Sequence, residues 1–112
     1  MAENDEERQV CDAAVTLAFS VLGKRWNGMI VSALGGGPAT FVTLRRAVGG
    51  ISDTVLSDRL AELTEAGLVA RTVDAGPPIA VSYALTASGT GLLPILDDLG
   101  RWASANLGTP AR

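Results

Sequence analysis

Apolar residues along the chain fall into helical stripes interrupted once by an alternating stretch. Val10, Ala14, Leu17, Ala18, Val21 and Leu22 recur at spacings of three and four, the period of one helix face, and Gly23 ends the run. Trp26, Met29, Ile30, Ala33 and Leu34 repeat that spacing until Gly35, Gly36, Gly37 and Pro38 forbid continuation. Thr40 is placed to cap a third helix whose inner face is Phe41, Leu44 and Val48, and Gly49 with Gly50 breaks it after about two turns. Ser52 is placed to cap a fourth. Asp53 in its first turn suits the positive helix end, Val55, Leu56, Leu60 and Leu63 form its inner stripe, and Gly67 stops it. The period then drops to two in residues 68–73 and 79–85, on either side of Asp74-Ala75-Gly76-Pro77-Pro78, which predicts two strands and a turn. Thr86 can cap a last helix carrying Leu92, Leu93, Ile95, Leu96, Leu99, Trp102, Ala103 and Leu107, with Pro94 tolerated only near its start.

Residues 40–66 thus read as helix, short glycine turn, helix, and the second of these helices keeps a polar outer face of Thr54, Ser57, Asp58, Ala61 and Glu65, with Arg59 at its border. A hairpin follows directly. The pattern predicts a fold that is mainly α with a small β-hairpin: a winged helix-turn-helix with four helices, the hairpin and a fifth helix. Residues 1–9, polar and acidic, are expected to be a disordered tail, and residues 10–112 a single domain. The broad apolar face of the last helix, together with that of the first, exceeds what the remaining elements can bury. A two-fold dimer through the N- and C-terminal helices is therefore expected.

Composition narrows the picture. The chain of 112 residues is 47% hydrophobic and 19% charged, ordinary for a folded domain and too apolar for a disordered one. A single cysteine, Cys11, and no histidine leave no intrachain disulfide and no nitrogen- and sulfur-rich metal site, so no metal or cofactor is expected. Serine nucleophiles lack a histidine base, which excludes a hydrolase triad. Gly35-Gly36-Gly37 is not followed by Lys-Ser/Thr, so it is not a phosphate loop. No enzyme is expected. The stretch from Cys11 to Gly23 is too short to span a bilayer and no basic segment precedes it, which predicts a cytoplasmic protein without a membrane partner. The net charge of −3 runs against the basic footprint usual for nucleic-acid binders. The first twelve residues hold five of the twelve acids and one of the nine bases, so the rest of the chain carries eight bases against seven acids. DNA binding has to rest on where particular residues stand.

Gly23-Lys24-Arg25-Trp26, Gly37-Pro38-x-x-Phe41-x-x-Leu44-Arg45 and Gly50-Ile51-Ser52-x-x-x-Leu56-x-x-Arg59-Leu60 occur in order. They are followed by Gly67-Leu68-Val69-x-Arg71, Pro77-Pro78-x-x-Val81-x-Tyr83-x-Leu85-Thr86-x-x-Gly89 and Leu99-x-x-Trp102. This ordered set, from Cys11 to Leu107, resembles the HxlR-type winged-helix regulators. The resemblance implies a dimeric bacterial DNA-binding repressor or activator, a repressor by preference. It also implies a cysteine just ahead of the first helix that senses electrophiles or oxidants in some members, a place held here by Cys11. The chain departs from the family pattern at Thr40, where arginine is frequent, at Ser82, where glutamate is frequent, at Asp53-Thr54, which lacks an early basic residue, and at Asp12, which replaces proline.

Candidate DNA contacts follow. Arg45 and Arg46 suit phosphates, against the plainer reading of a solvated face. Ser52, Thr54 and Ser57 can donate to phosphates or base edges, although Ser52 is equally a helix cap. Arg59 has the fork to read guanine, and Arg71 beside the hairpin reads first as an ion-pair partner of a nearby acid such as Glu65, with phosphate contact as the functional reading beside it. Asp58 would repel phosphate unless it accepts from cytosine. Cys11 is the candidate redox site, with an inert thiol as the alternative; acting alone in its chain, it would have to pair between subunits or with a small thiol. Trp26 and Trp102 suit core packing better than a ligand pocket. The expected function is a sequence-specific regulator binding a pseudo-palindromic double-stranded operator as a homodimer. The alternatives are a protein-interaction module with weakened or lost DNA binding, or a regulator answering a small-molecule effector without thiol chemistry.

Overall fold

The computed structural model describes residues 5–108, with side chains from Ala13 onward. The elements are α1 (Asp5–Leu22), α2 (Asn27–Leu34), α3 (Phe41–Val48), α4 (Asp53–Glu65), β1 (Val69–Asp74), β2 (Ala80–Leu85), α5 (Ala87–Gly91) and α6 (Leu93–Leu107). The winged helix-turn-helix order expected from the pattern is present.

α1 begins at Asp5 instead of Val10, so part of the expected tail is helical, while residues 1–4 lie outside the described residues. No proline or glycine interrupts residues 5–22, so the helix runs through them. Cys11 accordingly lies within the helix rather than ahead of it, and its side chain is outside the described residues. The last helix departs from expectation too. It is split at Leu92 into five-residue α5 and α6. Pro94, in the first turn of α6, has no N–H to offer the carbonyl four residues back and its ring collides there, so the chain restarts instead of continuing.

The core is Ile30, Val31 and Leu34 of α2, Leu44 and Val48 of α3, Ile51 of the turn, Leu56, Leu60 and Leu63 of α4, and Val69 of β1. Burying each such side chain contributes about 1.5–3 kcal/mol. The buried stripe of α2 is Asn27, Ile30, Val31 and Leu34, rotated from the expected one so that Met29 is exposed. Asn27 is fully buried, a position an apolar pattern cannot register, while Met29 lines an open hollow with Leu96 and Leu99 of α6.

The hairpin pairs Val69 with Leu85 through Asp74 with Ala80, antiparallel. Only Val69 of β1 is buried, so the strands extend away from the core. The hairpin's base is fixed in two ways. Ala39, just before α3, exchanges both backbone hydrogen bonds with Tyr83, at 2.9 and 2.8 Å. Gly89 of α5 lies against the Leu68 carbonyl so closely that a β-carbon would come within 2.1 Å of that oxygen, a contact only glycine permits.

Val21, Leu92, Leu93 and Leu96 pack on the core, but the rest of α1 and α6 leaves an apolar surface uncovered. Leu17 is 71%, Phe19 54% and Trp102 55% exposed, joined by Val15, Ile95, Leu99 and Leu107. Trp26 packs on the core as expected. Trp102 does not, because among the described residues no element covers that side of α6.

Candidate nucleic-acid interface

The geometry of the site starts from two capped helices joined by a turn. Thr40 Oγ1 accepts from the Thr43 N–H at 3.2 Å, and Ser52 Oγ accepts from the Val55 N–H at 3.1 Å, so each helix start is defined by its own sequence. Between them Gly49 and Gly50 take φ of 69° and 80°, the left-handed region that favours glycine, and buried Ile51 holds the turn to the core. With Leu56, Leu60 and Leu63 inward, Thr54, Ser57, Asp58, Ala61 and Glu65 form a continuous exposed face on α4. One hollow beside this face is lined by Phe41, Asp53, Thr54, Ser57 and Asp58. A second is lined by Ser57, Ala61, Thr64, Glu65, Arg71 and Tyr83 among others, and places the hairpin against α4.

The structure brings Ser52, Thr54, Ser57 and Arg71 to this side of the molecule. Arg71 is exposed and makes no ion pair among the described residues, so the expected pairing with Glu65 is absent although both line one hollow. Arg46, exposed at the end of α3, is likewise without an ion pair among the described residues. Arg45 is engaged: its Nη1 donates to Asp53 Oδ1 at 2.8 Å. Sequence reasoning assigned Asp53 to the helix end and missed this contact across the turn.

Arg59 stands apart. Two residues on from Ser57, it lies about 200° away around the helix, so one groove cannot receive both side chains. Its guanidinium reaches Glu62 Oε1 at 3.5 Å, and its side chain is only 24% exposed, with Nε buried and not hydrogen-bonded. The expectation that Arg59 reads guanine therefore meets a side chain turned to the opposite flank. That flank holds a cluster the sequence did not reveal. Lys24 Nζ donates to Glu62 Oε2 at 2.6 Å, while Asn27 Nδ2 donates to the Val21 carbonyl at 2.7 Å and to Glu62 Oε1 at 3.1 Å. The hydrogen bond from Lys24, then that from Asn27, hold the Glu62 carboxyl below its ordinary value, against the opposing effect of burial. No local spacing signals a contact between residues 38 positions apart.

Hydroxyls and guanidinium groups on this face supply donors for phosphate oxygens and base edges. Its charge is mixed, because Asp53, Asp58 and Glu65 stand among Arg45, Arg46 and Arg71. Among the described residues no cluster of acidic or cysteine side chains could hold a metal ion, and no helix is long and apolar enough to cross a membrane.

Comparison with known proteins agrees with this architecture. Residues 21–110 match the model of the HxlR-like helix-turn-helix family. The chain is 41% identical over 86 residues to the HTH-type transcriptional regulator YodB of Bacillus subtilis, covering 77% of each protein. It is 39% identical over 87 residues to the regulator YvaP of the same organism, covering 78% of this chain and 81% of that one. Among solved structures, the reduced form of YodB superposes with a TM-score of 0.76 at 38% identity, covering 81% of this chain and 89% of that one. The redox regulator HypR in its reduced form gives 0.78 at 31% identity, covering 84% and 93%. YodB has also been solved quinone-bound and after diamide treatment, and HypR in its oxidised form. A capped helix-turn-helix with an adjoining hairpin, matched over most of its length by such proteins, is a DNA-binding regulator of transcription; the chain belongs to the HxlR-like helix-turn-helix family.

Proposed function

We propose that this protein is a homodimeric repressor that seats two copies of α4 in successive major grooves of a pseudo-palindromic operator. The observation that carries the reading is the pairing of two surfaces on one chain: an exposed polar face on α4 beside the hairpin, and an apolar face on α1 and α6 that the chain leaves uncovered. A second copy covering α1 and α6 would set the two α4 helices about 34–36 Å apart, one turn of duplex. Thr54 and Ser57 then face base edges, Ser52 at the start of α4 faces a phosphate, and Arg45, Arg46 and Arg71 contact the backbone on either side. Arg59 is left out of the contact set because Glu62 holds it on the far flank. The protein acts in the cytoplasm, where its operator is.

A thiol response through Cys11 belongs to the same reading. It is supported by the relatives solved in reduced, oxidised, diamide-treated and quinone-bound forms. As the sole cysteine of the chain, Cys11 would form its disulfide with the other subunit or with a small thiol. The test is a mobility shift on the DNA upstream of the protein's own gene, with and without diamide, for wild type and Cys11→Ser. Binding that diamide abolishes only in the wild type is the expected result. A diamide response that is the same in both proteins, binding retained in each, leaves the regulator but removes the thiol and points to a different effector. Failure to bind any duplex at low salt would favour the protein-interaction module.

A further inference from the structure

Arg45 and Asp53 face each other across the turn between α3 and α4, eight residues apart in sequence. The ion pair lies at the entry to the α4 face, with Nη1 and Oδ1 2.8 Å apart and side chains 42% and 63% exposed. A carboxylate and a phosphate offer a guanidinium the same acceptor arrangement of two oxygens. Asp53 therefore occupies the donor that a DNA phosphate would use. Arg46, the next residue, has no ion pair among the described residues, so two adjacent arginines differ in availability. Asp53 needs no such partner to be useful to the helix, since an acid in the first turn already complements the helix end.

We propose that Asp53 is a specificity-determining residue that holds Arg45 in reserve by competing with phosphate. Random duplex meets Arg46 and Arg71 but leaves the Arg45–Asp53 pair closed. A duplex docked in register by base contacts from α4 brings one phosphate firmly against Arg45, displaces Asp53 and gains a third arginine contact. The device lowers affinity for random DNA more than for the operator, which widens the ratio between the two. It rests on the α4 face being the DNA surface, as proposed above, and deepens that reading.

The test compares wild type with Asp53→Asn, Arg45→Gln and the double variant, titrated against a random duplex and the upstream fragment from about 50 to about 200 mM salt. Asp53→Asn should bind random duplex about three- to fivefold more tightly, the factor an exposed ion pair of up to ~1 kcal/mol represents. Its slope of log K against log salt should steepen by about one, the signature of one added phosphate contact. Arg45→Gln should weaken binding to the upstream fragment by more than it weakens binding to random duplex, where no phosphate contact is lost and only the unpaired Asp53 carboxylate opposes binding. The double variant should return to the wild-type slope on random duplex. An Asp53→Asn slope equal to that of wild type overturns the proposal, and so does an equal gain in the Asp53→Asn and double variants, because the double variant carries the net charge of wild type and its gain would come from losing the Asp53 carboxylate without any part played by Arg45. If wild type binds neither duplex while thermal unfolding shows it folded, the α4 reading falls and this proposal with it.

Discussion

Replacing Asn27 with alanine tests whether the cluster behind α4 carries weight in folding. The side chain is fully buried and donates two hydrogen bonds, at 2.7 Å to the Val21 carbonyl and 3.1 Å to Glu62 Oε1. Losing the bond to the charged acceptor costs about 1.5–3 kcal/mol and the neutral one about 0.5–1.5 kcal/mol. Against this, Asn27 Oδ1 is buried without a partner, and removing it recovers about 1–3 kcal/mol of desolvation. The central values leave a net loss of about 1 kcal/mol, at about 4–8 °C in Tm for each kcal/mol in a domain of this size. Urea unfolding followed by tryptophan fluorescence, at one fixed protein concentration, reads it, since Trp26 packs on the core beside Asn27. The effect has a pH signature. The Glu62 pKa is lowered by folding from its ordinary 4.5, so the stability it contributes is complete above that value and disappears as pH falls through the lower folded pKa. Asn27 binds the ionised carboxylate best, so the penalty of Asn27→Ala should shrink on acidification. A variant within about 0.5 kcal/mol of wild type at neutral pH, or a penalty that grows in acid, would refute the reasoning.

Three other substitutions separate the surfaces of the molecule. Gly89→Ala forces a β-carbon against the Leu68 carbonyl and should cost about 1–3 kcal/mol, as overpacking does; chemical denaturation measures the loss, and an unchanged midpoint would mean that α5 moves freely from the hairpin. Arg59→Gln should lower stability while leaving base preference at every operator position unchanged, because the side chain faces Glu62; a binding series on single-base operator variants reads this, and relaxed preference at one guanine would place Arg59 in the groove after all. Trp102→Glu buries a charge in the proposed seam and should shift sedimentation from dimer to monomer, with DNA binding falling in parallel; a variant that remains dimeric would put the seam elsewhere.

The kind and order of the elements could be read from residues near in sequence. Thr40, Ser52 and Thr86 each cap the helix they precede, and Gly49 and Gly50 make the turn, because capping bonds and positive φ involve only neighbouring residues. The exposed face of α4 was readable for the same reason, since its Leu56, Leu60 and Leu63 stripe defines the opposite side. The pattern was less informative where one residue departs from its neighbours. Pro94 split the last helix, and buried Asn27 makes a polar contact that an apolar stripe does not record.

Partners belong to the three-dimensional arrangement. Glu62 meets Lys24 and Asn27 only because α1, α2 and α4 converge, and Arg59 turns away from the groove because that carboxylate is there. Asp53 reaches Arg45 through the angle of the turn, Ala39 holds Tyr83 through a bridge joining distant segments, and Trp102 is left bare because α6 packs on the core through Leu93 and Leu96 instead. Helix period and caps are set by energies acting over one or two turns of chain, so a linear pattern records them. A charge's partner depends on which elements packing brings within a few ångströms, and that is decided only when the core closes.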